Sequence, residues 1–258
     1  WGGWSLRILC ALVALYLIFP LGIILPIAFS NDTIMRFPPQ SMGLGLMKSY
    51  FSSSAWMRAT LNSLQVAGPV TLLATVLGTL AAMGITRFRG GARQIAYGLF
   101  ISPLILPAII NALAMYFFMA ELKLIGTITG LVLAHTVLAV PFVIIVMTTT
   151  LQGMDDELLK AGYSLGAGRL KAFIHITLPL IRPGLFTAAI FAFIASFDEL
   201  ITALFISGAR STTLPKQMWD GIRDQMSPIV AAVAALLIIL AILLMAMVEM
   251  MKRRKCSV

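Results

Sequence analysis

The sequence predicts an all-α membrane protein with six transmembrane helices. Three observations support this: how apolar the chain is, how its apolar residues are grouped, and where its basic residues fall. Of 258 residues, 60% are hydrophobic and only 11% charged, with mean hydropathy +0.97. A soluble domain carries roughly 25% charged residues. Six apolar stretches, 8–29, 61–85, 95–119, 128–151, 184–206 and 229–250, reach the roughly 20 residues that cross about 30 Å of hydrocarbon. Basic residues then set orientation. With both termini in the cytoplasm, 12 of the 19 Lys and Arg residues fall inside. They are Arg7; Arg87, Arg89 and Arg93; Lys160, Arg169, Lys171 and Arg182; and the 252–255 tail, KRRK.

Taken in order, the first stretch spans fully and has no small-residue cleavage site, so it reads as a retained span. The outer loop 31–60 is the longest, and its Tyr50, Phe51 and Trp56 suit a helix at the headgroup level. Asn31-Asp32-Thr33 matches a glycosylation sequon, a three-residue pattern of little weight. Pro69, Pro103, Pro107 and Pro141 lie inside spans, where each removes a backbone hydrogen bond and favours a kink. The outer loop 208–227 is expected to be tied down by Pro215, Trp219 and Pro228. The whole chain, 1–258, reads as one transmembrane domain.

Several function classes drop out. Cys10 and Cys256 lie too far apart for a disulfide framework or a metal-ligand spacing, and Cys10 reads as a small apolar residue in a span. The net charge of +9 has no basic–aromatic patch to go with it, so no nucleic-acid partner is expected. The methionines form no cluster with His or Cys, so no metal is expected. There is no G-x-x-x-x-G-K followed by Ser or Thr, hence no P-loop for ATP. No repeat and no matching halves are visible, which counts against an ion-gradient-driven secondary transporter, the reading of a different class. No acid pair, His cluster or Ser/His set sits at matching depth in different spans, as an intramembrane enzyme would need.

The inside segment 152–179 is polar, charged and longer than a turn needs to be. Asp155 or Asp156 can cap a helix, with Asp156 and Glu157 at its positive dipole end. Leu158, Ala161, Gly162 and Leu165 share one face, small at its middle, so that a backbone or a bulky side chain can approach. Gly166 suits the left-handed position that ends a helix. A second short helix follows from Arg169, with Leu170, Phe173, Ile174 and Thr177 on one side, and Pro179 marks entry to the fifth span. From the residues alone, two readings fit: a docking elbow for a soluble partner, or an amphipathic pair on the membrane with Arg169 and Lys171 on lipid phosphates.

This segment resembles the cytoplasmic loop of ATP-binding-cassette importer permeases, whose pattern is E-A-A, three residues, G, about nine residues, then I-x-L-P. Lys160-Ala161-Gly162 takes the E-A-A place, Gly166 the glycine, and Ile176-Thr177-Leu178-Pro179 the ending. Lys160 stands where the family carries an acid and Gly162 where it carries the second alanine. The family glutamate's contact is therefore not carried over. Asn62-Ser63-Leu64 and TRFRGG (86–91) are similar to the same permeases. Ser196-Phe197-Asp198-Glu199, Thr213-Leu214-Pro215, Gly221-Ile222-Arg223-Asp224 and Ser227-Pro228 resemble the polyamine subfamily, with importers of opines and amino-acid-like solutes close to it.

The resemblance implies a type I ABC importer permease fold in a bacterial inner membrane, with a helix–Gly–helix coupling loop. Asp155, Lys160, Ala161, Gly162, Leu165, Gly166, Phe173, Ile176, Leu178 and Pro179 would form that loop. It also implies an ABC ATPase dimer carrying ATP and Mg, a second permease (usually a different chain), an external solute-binding protein and surrounding membrane lipid. This chain itself would hold no cofactor.

Asp198 and Glu199 are the acids inside a span, where an ionised side chain costs roughly 2.5–3.5 kcal/mol or more and normally faces a cavity or a partner. On a continuous helix adjacent residues point about 100° apart. Ser196 and Glu199 would then share one stripe, and Asp198 and Thr202 the next. One acid can line a pathway for a cationic solute while the other caps backbone or pairs with a neighbouring helix. A hydrogen-bonded anchor between helices, or an acid near the outer interface reached by water, is the alternative. Asn111 and His135 are further polar residues that can face a pathway or bond a neighbouring helix, and His175 reads as a surface residue.

Overall fold

The computed structural model describes residues 2–255; Cys256 lies outside them. Its twelve helices are α1 (Gly2–Ala28), α2 (Gly45–Ser52), α3 (Ser54–Arg87), α4 (Gly91–Ile105), α5 (Ala108–Glu121), α6 (Ile128–Gln152), α7 (Asp156–Ser164), α8 (Arg169–Ala172), α9 (Leu178–Phe197), α10 (Ile201–Ile206), α11 (Leu214–Gln225) and α12 (Ile229–Lys255). A π-helical turn, Phe173–Thr177, joins α8 to α9. Among the described residues the sole β pairing is an isolated bridge between Ser30 and Met42.

Five helices are long and apolar enough to cross a membrane: Gly3–Ala28, Ser54–Arg87, Ile128–Gln152, Arg169–Phe197 and Ile229–Met250. The sixth expected span is the pair α4 and α5, bent by 97° at its break. The six apolar stretches are therefore all helical, but one is not straight. The prolines explain why. Pro107 has no N–H to give the carbonyl of Pro103, so the i→i+4 ladder cannot continue there. Asn111 Nδ2 donates to that carbonyl instead, at 2.6 Å. Pro69 and Pro141, expected to kink their spans, lie inside the unbroken helices α3 and α6.

Packing divides the chain into two compact units, 1–58 with 217–243, and 59–216 with 244–258. In the second, α6 is the central element. It packs chiefly on α9 and also meets α4 and α10, while α5 packs on α10. Val66, Leu131, Val143, Met147, Ile181 and Ile206 are fully or almost fully buried in the core there. Between membrane spans the alternative surrounding is lipid and not water, so what these side chains gain is close van der Waals packing. In the first unit, Ile27 and Ala28 of α1 pack with Ala231 and Ala235 of α12.

Within that first unit the outer loop departs from expectation. Tyr50 and Trp56 are buried, at 4% and 5% exposure, and only Phe51 is open. Trp56 lies against Gly221, where an added Cβ would stand 3.4 Å from its ring. Two of the three aromatics therefore pack inward, and Phe51 is the one left outward. Trp219 is 44% exposed on a regular helix, α11, so it does not tie its loop down. Asn31 serves the loop internally: its Oδ1 accepts from Gly45 N at 2.8 Å and its Nδ2 donates to Met42 O at 3.3 Å.

Candidate functional site

The coupling-loop residues are placed by local geometry. Asp155 caps α7, its Oδ1 accepting from Glu157 N–H at 2.9 Å. The side chain of Asp156 lies outside the described set. At the other end Gly166 takes φ +82°, which a side chain disfavours. Gly166 N–H donates to Tyr163 O at 3.0 Å and Ala167 N–H to Gly162 O at 3.1 Å, the paired bonds of a left-handed helix stop. A chain reversal is thus written into one glycine.

The reversal brings α7 back onto the π turn. Gly162 is buried, and a Cβ there would meet Ile176 Cδ1. The bulky side chain that the small middle of this face admits is thus the loop's own I-x-L-P isoleucine. What faces outward is different: Leu165 is 89% exposed, Leu170 71%, Tyr163 49%, Leu158 46% and Ile174 45%. Leu170 and Ile174, expected to share one side with Phe173 and Thr177, are open, whereas Phe173 is half-buried and Thr177 buried. Lys160 and Ala161 are exposed, Leu178 half-buried and Pro179 exposed. His175 is exposed, its Nδ1 3.0 Å from Lys171 O.

Pro179 does not begin the fifth span. The helix runs continuously from Arg169 through the π turn to Phe197. A proline in the second position of α9 has no N–H for the turn before it, and a wider i→i+5 turn accommodates that loss.

At its far end the fifth span stops at Phe197, so the continuous helix assumed for Ser196–Thr202 does not exist. Asp198 is the exposed C-cap that follows the last residue of α9. Glu199 Oε1 accepts from Thr202 N–H at 2.8 Å and so starts α10. His135 Nδ1, from α6, lies 3.1 Å from both Ser196 O and Ser196 Oγ. It meets the carbonyl that a continuing helix would have offered to Leu200. Nδ1 donates to the carbonyl in one tautomer and accepts from the hydroxyl in the other. Buried Nε2 has no partner among the described residues.

The five candidate pathway residues therefore divide. Asn111 spans the α4–α5 break, Ser196 is bound by His135, Glu199 caps α10, and Thr202 is buried as the receiver of that cap. Asp198 alone presents its side chain to the outside.

A clasp beyond the break escaped the reading of the sequence. Asn62 Nδ2 donates to Arg210 O at 3.0 Å and Thr212 O at 2.9 Å, and Ser63 Oγ accepts from Leu214 N–H at 2.8 Å. Gly126 N–H donates to Ile206 O at 2.8 Å, and Ser211 Oγ to Gly126 O at 2.9 Å. The similarity of Asn62-Ser63-Leu64 and Thr213-Leu214-Pro215 to one family was the available signal. Their pairing across about 150 residues was not.

The family model described as "Binding-protein-dependent transport system inner membrane component" matches residues 74–255. The putrescine transport system permease protein PotI of Escherichia coli (strain K12) is 33% identical over 188 residues, covering 70% of this chain and 66% of PotI. The matched stretch thus spans slightly under two thirds of that relative's length. The spermidine/putrescine permease PotC of Haemophilus influenzae is 26% identical over 224 residues, 85% of each chain. Among solved structures, a bacterial ABC transporter involved in the import of the acidic polysaccharide alginate matches with TM-score 0.76 at 16% identity, covering 96% of this chain and 95% of that one. An amino acid ABC transporter matches with TM-score 0.59 at 15% identity, covering 83% of this chain and 100% of that one. At such identities the likeness is one of fold.

Proposed function

Because this chain belongs to the binding-protein-dependent transport system inner membrane components, we propose that it is the permease subunit of an ATP-driven importer for a small cationic amine of polyamine type. Opines and amino-acid-like solutes are the neighbouring substrates. Its relatives that transport putrescine and spermidine support the amine reading. A fold shared with an importer of an acidic polysaccharide means that the solute's charge is set by side chains and by the delivering protein, not by the fold.

The observation that carries the mechanism is the loop's construction. Gly162 closed on Ile176, and Gly166 in the left-handed region, fix α7 as a rigid projection with Leu158, Leu165 and Leu170 outward. In this reading an ATPase dimer, holding ATP and Mg, grips those apolar side chains from the cytoplasm, where both termini of the permease also lie. Closure of the dimer displaces α7. The displacement passes through the π turn into α9, which packs on α6. The permease then alternates between inward-open and outward-open states, two discrete arrangements biased by nucleotide. A second permease completes the pathway, and an external solute-binding protein delivers the amine. Asp198, exposed where α9 ends, offers the negative charge that lets the cation leave water.

Reconstitution into proteoliposomes tests this. Uptake of radiolabelled putrescine is expected only with the co-purified ATPase, ATP and Mg. Full uptake by this chain alone, driven by an ion gradient, would overturn the proposal.

A further inference from the structure

Beside the loop lies a cleft of about 1050 Å³, at the upper end of the roughly 300–1,000 Å³ of ligand cavities. Four arginines line it: Arg87 from the end of α3, Arg89 from the following turn, Arg93 from α4 and Arg169 from α8. The rest of its lining is mixed: Met83, Leu151, Met154, Leu159 and Phe173 form an apolar wall, beside the polar Thr86, Gln152, Tyr163 and Thr177. No carboxylate lines it, and among the described residues none of the four guanidinium groups has an ion-pair partner.

Four like charges around one cavity repel unless an anion sits among them. Arginine's planar fork matches phosphate oxygens in pairs. An occupant that satisfies both the arginines and the apolar wall must be amphipathic. Basic pockets between helices at the cytoplasmic surface are where anionic headgroups bind. We propose that this cleft holds the phosphate of an anionic phospholipid, with the acyl chains against the apolar wall. The lipid bridges the α3–α4 turn and the loop helix α8, so the loop's seating depends on the anionic lipid content of the inner leaflet. The inference rests on the cytoplasmic placement of the loop given above.

The test uses the full chain, purified in mild detergent with its partner subunits and then delipidated. Phosphatidylglycerol, phosphatidylcholine of the same chain length, and sodium phosphate are titrated in separately, and retained lipid is counted by native mass spectrometry. One phosphatidylglycerol is expected to be retained, with no phosphatidylcholine, and phosphate should displace it only at far higher concentration. Removing two surface charges in Arg89→Gln/Arg93→Gln is expected to weaken retention about thirtyfold. Arg93→Lys, which keeps the charge but loses the fork, should fall between, and Arg210→Gln should match the unaltered chain.

Equal retention in the double variant, or of phosphatidylcholine, would overturn the proposal. Displacement by phosphate at concentrations comparable to the lipid's would assign the cleft to free phosphate and overturn the lipid source. Loss of the ATPase from the double variant, with lipid retention unchanged, would assign the cleft to a protein partner and overturn it likewise. Lipid counting does not read uptake, so its failure is distinct from failure of the importer reading.

Discussion

The two ends of the fifth span solve opposite problems with similar materials. At the loop end the helix continues without interruption through a π turn, and a glycine folds α7 back to cover it. Polar groups there are spent on capping and reversal, which leaves large apolar side chains outward. At the far end the helix is cut. The ends of the cut are held by His135 on Ser196 and by Glu199 on Thr202, and one acid, Asp198, is left outward. The first end is one continuous unit with its loop helix folded against it. The second is built to stay bent while presenting a charge.

The largest expected effect breaks the first end. A side chain in place of Gly162 collides with Ile176, and overpacking of this kind costs about 1–3 kcal/mol. Gly162→Leu is expected to abolish ATPase co-purification and ATP-dependent uptake, and Gly162→Leu/Ile176→Ala should recover both. Failure of the double variant to recover would mean that Gly162 serves the partner directly and not the loop's own closure.

At the far end, His135→Leu leaves Ser196 without its hydrogen-bond partner, a loss of about 1–3 kcal/mol for a buried unsatisfied group. Thermal melting should report it as a lower Tm. An unchanged Tm would show that the cut does not depend on His135.

Separating the two acids sharpens the contrast within that end. Glu199→Ala removes a cap worth about 1 kcal/mol and should lower Tm while leaving the KM for putrescine near its original value. Asp198→Asn should do the reverse, raising KM severalfold at constant Tm. If both variants behave alike, the division of labour between the acids is wrong.

The smallest effect lies outside both ends. Asp32 accepts from Gln40 N–H at 2.8 Å and from Ser41 Oγ at 2.9 Å. First the backbone N–H and then the hydroxyl hold its carboxyl below the usual value. Depressed in the folded state, it contributes stability that is fully present above the unfolded carboxylate range. That contribution is lost as pH falls through the folded value. The protection of residues 30–45 against hydrogen exchange, taken relative to the intrinsic rate at each pH, should fall over that acid window, and Asp32→Asn should remove the step while leaving both ends of the fifth span unchanged.

What could be read from the sequence follows the range of the forces involved. The six apolar stretches, the Asp155 cap and the Gly166 reversal are set within a few residues, and each was legible. The stop after Phe197 was not, because Ser196–Thr202 falls within a stretch long enough to span as one helix. The group that meets the freed Ser196 carbonyl is a histidine 61 residues away. Asn111 reads as a polar residue in a span, and its use became visible only once Pro103 and Pro107 faced the same break. The burial of Tyr50 and Trp56 likewise depends on tertiary packing, in Trp56's case against Gly221. Of the site, the loop's architecture was legible and its outward face was not, since which apolar residues stay open depends on which one Ile176 covers.

The break between α4 and α5 limits how the molecule can move. Straightening this pair would not regain a backbone bond, because Pro107 has no amide to offer, and it would take Asn111 away from the carbonyl it now serves. The elbow therefore has no lower-energy straight form to relax into. α4 bears on α6 and α5 on α10, while α10 also touches α6 directly, so the two arms of the elbow meet the central helix and its short neighbour at separate places.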